Sequence, residues 1–277
     1  MDQTLPYQNY LIDAVKEKSI KVTEEFGEAE KRYEKAQKEK KGWDDLLMYL
    51  LKNWPCHIIQ SINQDKYILI GDKIASKETA SIIDEIYQTA RTQAEILQKR
   101  YPAYIEEACR DNNLIIDRGS RHPKYNFFGG FFRLEIDDRN YIARLSDYEG
   151  KLAEFPADVG AAIEIIQREY TRVLDRPFDG NMFIRMLRNQ YLAIVKRDNL
   201  TDGAEIPIRK ITHRLGKNIE GFRRDEFLVD LSRLAEKGPT EIDGRRLYLQ
   251  HTKDINQGML LYTKRGGYIG YVVFKKE

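Results

Sequence analysis

The sequence predicts an α+β chain, mainly α, built in three parts, and three observations carry that assignment. Apolar residues recur at steps of three and four along two long stretches rich in Glu, Lys and Ala, which is the spacing of a helix seam. Between about 114 and 155 the texture changes to short alternating runs separated by turn clusters, as in an antiparallel sheet. From Gly180 onward helical patterns return and end in two β-like runs. The expected parts are a coiled-coil-like helical hairpin with a short inserted strand (1–112), a small sheet-plus-helix module (113–176) and a helical domain closed by a β-hairpin (180–277).

The first arm of the hairpin, Tyr7 to about Lys40, places Leu11, Val15, Val22, Phe26, Ala29, Tyr33 and Ala36 on one seam, with Lys18 filling the gap. The second arm starts after Ser76, a good N-cap with an acid close behind at Glu78. Its seam reads Ile83, Ile86, Ala90, Ala94, Leu97, Tyr101, Tyr104 and Ala108, and Pro102 is expected to kink or restart it. Two seams of similar length can bury each other, so an antiparallel hairpin follows, although pairing between two chains would satisfy the same seams. Between the arms, Trp43 to Leu51 reads as a short buried helix and Lys66 to Gly71 as one strand.

In the middle part, Leu114 to Ile116 reads as the start of a strand, followed by alternating runs at Phe131–Ile136, Tyr141–Leu145 and Leu152–Phe155. Turn clusters at Asp137–Asn140 and Tyr148–Gly150 separate them. Asp158 then caps a helix with Ala162, Ile163, Ile166, Tyr170 and Val173 on one face. Arg176 to Gly180 reads as a linker.

The last part opens with a helix marked by Met182, Ile184, Met186, Leu187, Tyr191, Ile194 and Val195. After a turn at Asp202-Gly203, a short extended Ile206-Pro207-Ile208 leads into a second helix ending at Gly216. A third helix, Arg223 to Lys237, carries Phe227, Leu228, Leu231 and Leu234 inward and stops at Gly238. The runs Arg245–Leu249 and Tyr268–Phe274 flank a loop holding Lys264-Arg265-Gly266-Gly267. This order resembles the winged helix-turn-helix. The resemblance covers the last third of the chain and is one of pattern.

In that family the third helix commonly enters the major groove while the wing meets phosphates. The resemblance therefore implies Arg223, Arg224 and Arg233 on the outer face of the third helix. It implies Lys264 and Arg265 at the wing tip, and Lys210, Arg214 and Lys217 on the second helix and its turn. Asp225, Glu226 and Asp230 would share the outer face of the third helix and repel phosphates, and many winged helices dock proteins instead.

Charge distribution agrees with a polyanion partner. The net charge is +2, but from Gly180 onward there are 19 Lys+Arg against 12 Asp+Glu, leaving 27 basic and 32 acidic residues in the first 179. A basic domain on an acidic body is expected where only that domain meets nucleic acid. No run of about 18 apolar residues occurs, which excludes a transmembrane helix, and Met1 to Pro6 lacks the features of a secretory signal. Cys56 and Cys109 stand far apart, which fits a reduced, cytoplasmic protein.

Motifs for chemistry are sparse. A Walker loop, a dinucleotide glycine turn and a nucleophile elbow are absent, and Cys56-His57 has no further cysteine or histidine nearby to complete a zinc site. A nuclease reading rests on Glu135, Asp137 or Asp138, and Glu149-Gly150-Lys151, where two carboxylates would hold Mg²⁺ while the lysine steadies water. Against it, Glu149-Gly150 reads as a turn, and with 32% of residues charged Glu-x-Lys recurs by accident. The basic and aromatic run Arg118 to Tyr125 is a further candidate for nucleic acid or phosphate. The expectation is a cytoplasmic, non-enzymatic DNA-binding protein without cofactor or metal, a regulator or an accessory subunit of a DNA-processing or antiviral defence complex. Its N-terminal helices would self-associate or dock a partner. A scaffold whose winged helix binds protein is the alternative.

Overall fold

A computed structural model describes residues 9–70, 77–254, 256–262 and 267–276, the side chains of 65–70 excepted. The chain is mainly α with small antiparallel sheets and falls into two compact units that divide within one helix, at Lys99/Arg100. The sheet module and the C-terminal domain, expected as separate parts, share the second unit.

In the first unit, α1 (Asn9–Leu51) leads to α2 (Pro55–Ile70) and to the start of α3 (Lys77–Asp111). Both long helices form, but their seams do not bury each other. Leu11, Val15, Val22, Phe26 and Tyr33 of α1 are exposed, while Ile83, Ala90 and Ala94 of α3 are buried. The expected strand at Lys66 to Gly71 is instead the last turn of α2 up to Ile70, with Gly71 and the expected cap Ser76 outside the described residues. A run of Tyr, Ile and Leu satisfies either period when it is this short, and continuity with the helix preceding it decides. Trp43 to Leu51 is the end of α1 and not a separate helix, and Pro102 lies within α3 without restarting it.

The second unit begins with the C-terminal turns of α3. Tyr101, Ile105 and Cys109 are buried there, with the Tyr101 ring against His122 and Tyr125. A meander follows: β1 (Lys124–Phe127), β2 (Phe132–Asp137), β3 (Ile142–Ser146) and β4 (Lys151–Pro156), paired in that order. Alternation in β2 buries Phe132, Leu134 and Ile136 and turns Arg133 out, the pleat expected of a half-buried strand. Leu114 to Ile116 forms no strand, only a single bridge from Ile116 to Phe127. Helix α4 (Val159–Val173) lies against β4, with Asp158 at its N-cap position.

The rest of the chain folds as α5 (Gly180–Arg197), β5 (Ile206–Pro207), α6 (Ile208–Asn218), α7 (Arg224–Lys237), β6 (Glu241–Ile242), β7 (Arg245–Thr252), β8 (Met259–Leu260) and β9 (Tyr268–Lys275). The short β5 pairs with β9, which pairs with β7, all antiparallel. Three helices, with a strand between the first two, are closed by a hairpin whose last strand takes that first strand. Its core is continuous: Leu187, Tyr191 and Ile194 of α5, Ile211 and Leu215 of α6, Phe227, Leu231 and Leu234 of α7, and Val272 and Phe274 of β9. Helix α6 runs one turn fraction past Gly216, to Asn218. No helix among the described residues is long and apolar enough to cross a membrane.

Candidate nucleic-acid interface

The platform of the site is α5. Asp179 caps it by accepting from the Met182 backbone N–H at 3.0 Å. Arg188, 4% exposed, donates two hydrogen bonds to Asp202 at 2.7 and 2.6 Å, and Arg245 reaches the same carboxylate at 2.8 Å. The fully buried Tyr191 hydroxyl donates to Ala204 O at 2.8 Å and accepts from Gly203 N–H at 3.0 Å. These contacts fix the turn before β5 and so aim α6. The two hydrogen bonds from Arg188 hold the Asp202 carboxyl below its ordinary range.

Helix α6 is amphipathic. Ile208, Ile211, Thr212 and Leu215 face the core, while Arg209, Lys210, His213 and Lys217 are exposed. Over 208–224 the sequence carries Arg209, Lys210, Arg214, Lys217, Arg223 and Arg224 against a single acid, Glu220. Some of that charge is engaged. Lys210 lies 3.0 Å from Asp198, which also accepts from Arg197, and those two bases hold the Asp198 carboxyl down at about 2. Arg214 Nε donates to Gln190 at 3.0 Å, and Arg209 to Gly258 O at 2.8 Å. Lys217 stands at the end of the helix with no ion pair among the described residues. Lys210, Arg214 and Lys217 fall on one side of α6 by their spacing of four and three, while Arg223 and Arg224, 44% and 52% exposed, stand at the start of α7 and pair with Asp225 and Glu149.

The third helix differs from the sequence expectation. Its side away from the winged-helix core is covered by α4 and the segment that follows. Arg172 of α4 donates to Asp225 at 2.5 Å and to Glu226 at 2.6 Å, and Arg176 pairs with Asp230. Arg233 turns toward the end of α4, donating to Leu174 O at 2.5 Å and Arg176 O at 3.1 Å, so it does not lie on an outer DNA-facing surface. Asp225 and Asp230, expected there as phosphate-repelling charges, are buried. Burial opposes ionisation of Asp225, but hydrogen bonds from Arg172 and Arg223 outweigh it and its carboxyl lies below the usual range. Burial prevails at Asp230, which is raised despite Arg176. The cause of the difference is a helix-to-helix contact between segments more than fifty residues apart, which α7's own periodicity cannot reveal.

Sequence reasoning passed over Arg172 and Arg176, the residues that organise this face. The available signal was their spacing of four near the C-terminal end of α4, where cations also suit the helix dipole. Lys264 and Arg265 lie outside the described residues.

The other candidates disperse. Glu135 pairs with Lys124 at 3.2 Å, Glu149 with Arg224 at 3.7 Å, and Lys151 with Glu154 at 3.7 Å. Asp138 takes His122 Nε2 at 2.8 Å, and Asp137 is bonded to Asn140. Among the described residues no three His, Cys, Asp or Glu side chains come together to hold a metal. In the run from Arg118, Arg121 and Lys124 bridge across a tight turn, and His122 Nδ1 meets the Tyr125 hydroxyl at 3.2 Å. His57 packs against Tyr49 and Trp54, and both cysteines are buried and in no disulfide. No family model, no curated protein and no solved structure matches the chain.

Proposed function

We propose that the chain is a non-enzymatic DNA-binding protein, an accessory subunit or regulator of a DNA-processing or defence complex, that meets duplex phosphates with the outer side of α6 and the turn into α7. The observation that supports this is the stretch 208–224, six Lys and Arg against one acid, four of the six on α6, whose apolar side is committed to the core. Such a surface follows backbone charge, since phosphate contacts set affinity and position. Arg223 and Arg224 are the candidates for reading base edges, because a guanidinium fork can bind guanine in two places. Lys264 and Arg265 add to the surface on sequence grounds alone. Two buried cysteines in no disulfide suit the reducing cytoplasm.

A second reading has its own observation. The side of α7 that a winged helix commonly offers to DNA is engaged with α4 through Arg172 and Arg176. A scaffold in which the winged helix packs protein, and the exposed N-terminal helix recruits another chain, accounts for that contact equally directly.

Anisotropy of a labelled duplex across a salt series separates the two. Tight binding that weakens with salt, and loses slope in Arg214→Ala/Lys217→Ala and in Arg223→Ala/Arg224→Ala, supports DNA binding, with about 0.9 of slope lost per phosphate contact removed. A Lys264→Ala/Arg265→Ala variant in the same series reads the loop. Absence of binding, or binding indifferent to all three pairs, supports the scaffold.

A further inference from the structure

Helix α1 carries an apolar stripe longer than its sequence seam first suggests. Leu11, Val15, Val22, Phe26 and Tyr33 are continued by Leu47 and Leu51, and all seven are exposed, Leu51 by 79% and Val15 by 69%. At 100° per residue these positions lie within a sector of about 80°, together with Lys18, Ala29, Ala36, Lys40 and Asp44. The buried Gly42 and Leu46 lie on another side of the helix, which is the side that packs. The stripe therefore runs about 60 Å, from Leu11 to Leu51, without a partner in the described chain.

Its spacing is palindromic. About Lys31 as centre, position 11 mirrors 51, 15 mirrors 47, 18 mirrors 44, 22 mirrors 40, 26 mirrors 36, and 29 mirrors 33. Two copies of α1 laid antiparallel across a two-fold axis at Lys31 would set every stripe residue against a stripe residue. Five of the six pairs that result are chemically matched, and the sixth sets Val22 beside the stem of Lys40. Leu11 meets Leu51 and Val15 meets Leu47 at the ends. The large Phe26 meets the small Ala36, the large Tyr33 meets Ala29, and Lys18 meets Asp44. Flanking charge agrees as well. Residues 24–30 hold Glu24, Glu25, Glu28 and Glu30 with no base, whereas 31–41 hold six Lys and Arg against two Glu. Antiparallel pairing brings the acidic block of each copy beside the basic block of the other, while parallel pairing in register sets like beside like.

We infer that α1 is the dimer contact of this protein, pairing antiparallel with α1 of a second copy about Lys31. This rests on the self-association expected of the N-terminal helices and specifies its partner and direction; it is independent of the DNA reading. Dimerisation would also join two basic α6 surfaces in one particle, where a second contact gains through effective concentration.

The test uses the full chain in two measurements. Sedimentation across a concentration series is expected to show a dimer, with Phe26→Glu/Tyr33→Glu monomeric and equally helical; a monomer at all concentrations overturns both the self-association and its geometry. Oxidative cross-linking then reads direction. Chains carrying Val15→Cys mixed with chains carrying Leu47→Cys should give the mixed disulfide and little of either like-with-like product. A dimer that yields Val15→Cys pairs with themselves overturns the antiparallel register while leaving self-association standing.

Discussion

The Arg172 guanidinium lies 2.5 Å from the Asp225 carboxylate and 2.6 Å from that of Glu226, joining α4 to the first turn of α7. Glu169, one turn before Arg172, accepts from its Nε at 2.8 Å. One arginine thus satisfies three carboxylates, two of them buried. The sheet module and the C-terminal helices are joined there within one compact unit, at the side of α7 turned away from its own core.

Breaking this clamp should cost more than a surface ion pair. Arg172→Ala leaves Asp225 and Glu169 buried without their principal partner, and breaking a buried pair typically costs about 3–5 kcal/mol. Arg172 itself is 24% exposed, so the lower end, about 3 kcal/mol, is expected. Urea denaturation of Arg172→Ala against wild type measures it. A loss under about 1 kcal/mol, the range of a solvent-exposed pair, contradicts the clamp.

Acid should release the same contact. Asp225 has its folded-state value lowered, so its contribution is fully present above the unfolded carboxyl value of about 3.9 and is lost as pH falls through the folded value. Stability from this source is then flat between pH 7 and about 5 and declines below about 4. Denaturation midpoints collected over that range for wild type and Asp225→Asn report it: the variant starts less stable and loses the Asp225 component of the acid decline.

Much of the fold was legible because its signals are local. The amphipathic periods of α5, α6 and α7, Gly238 after α7 and the alternation through β2 to β4 each express a preference satisfied within a few residues. What was not legible depends on contacts distant in sequence. The run Tyr67 to Ile70 fits strand and helix alike until it is seen continuing α2. The seam of α1 announces a helix but not what covers it. Of the basic residues chosen from the pattern, Lys210, Arg214 and Lys217 share one side of α6 by their spacing, while Arg223 and Arg224 stand at the start of α7, paired with Asp225 and Glu149. Arg233 belongs to the α4 contact because complementary charges at Arg172 and Arg176 draw α7 there, and those two residues stand over fifty positions away.

The Tyr191 hydroxyl sets the approach to α6 through two buried hydrogen bonds, to Ala204 O and from Gly203 N–H. Tyr191→Phe keeps the ring, which packs against Phe274, and removes only the oxygen. Leaving a buried backbone donor and acceptor unmet costs about 1–3 kcal/mol. Thermal unfolding should fall accordingly, and DNA affinity should fall with it if the aim of α6 matters. An unchanged midpoint would mean that the turn finds other partners.

Cys109 offers a probe of the α3 end. Burial first, and the charge of Glu106 second, push its thiol up to about 11. At pH 8 about one part in a thousand is then thiolate, the reactive form. Native protein should therefore resist a thiol reagent at Cys109 and react fully once denatured. Fast labelling of native Cys56→Ser protein would show the α3 end to be open.

Lys217 and Arg233 are both basic residues of the helix-turn-helix, and the structure gives them opposite predicted behaviour. Lys217 is exposed beside the turn, whereas Arg233 holds Leu174 O and Arg176 O and lies 3.6 Å from Asp230. Lys217→Ala should leave unfolding within about 0.5 kcal/mol of wild type, as for a surface change. It should also reduce the salt slope of duplex binding by about 0.9, one phosphate contact. Arg233→Ala should do the reverse, removing hydrogen bonds between charged and carbonyl groups worth about 1.5–3 kcal/mol each way of counting and leaving the slope of the folded protein alone. Measuring both quantities on both variants decides which face works. If the slope drops for Arg233→Ala and not for Lys217→Ala, α7 must leave α4 to bind DNA, and the α6 surface is not the contact.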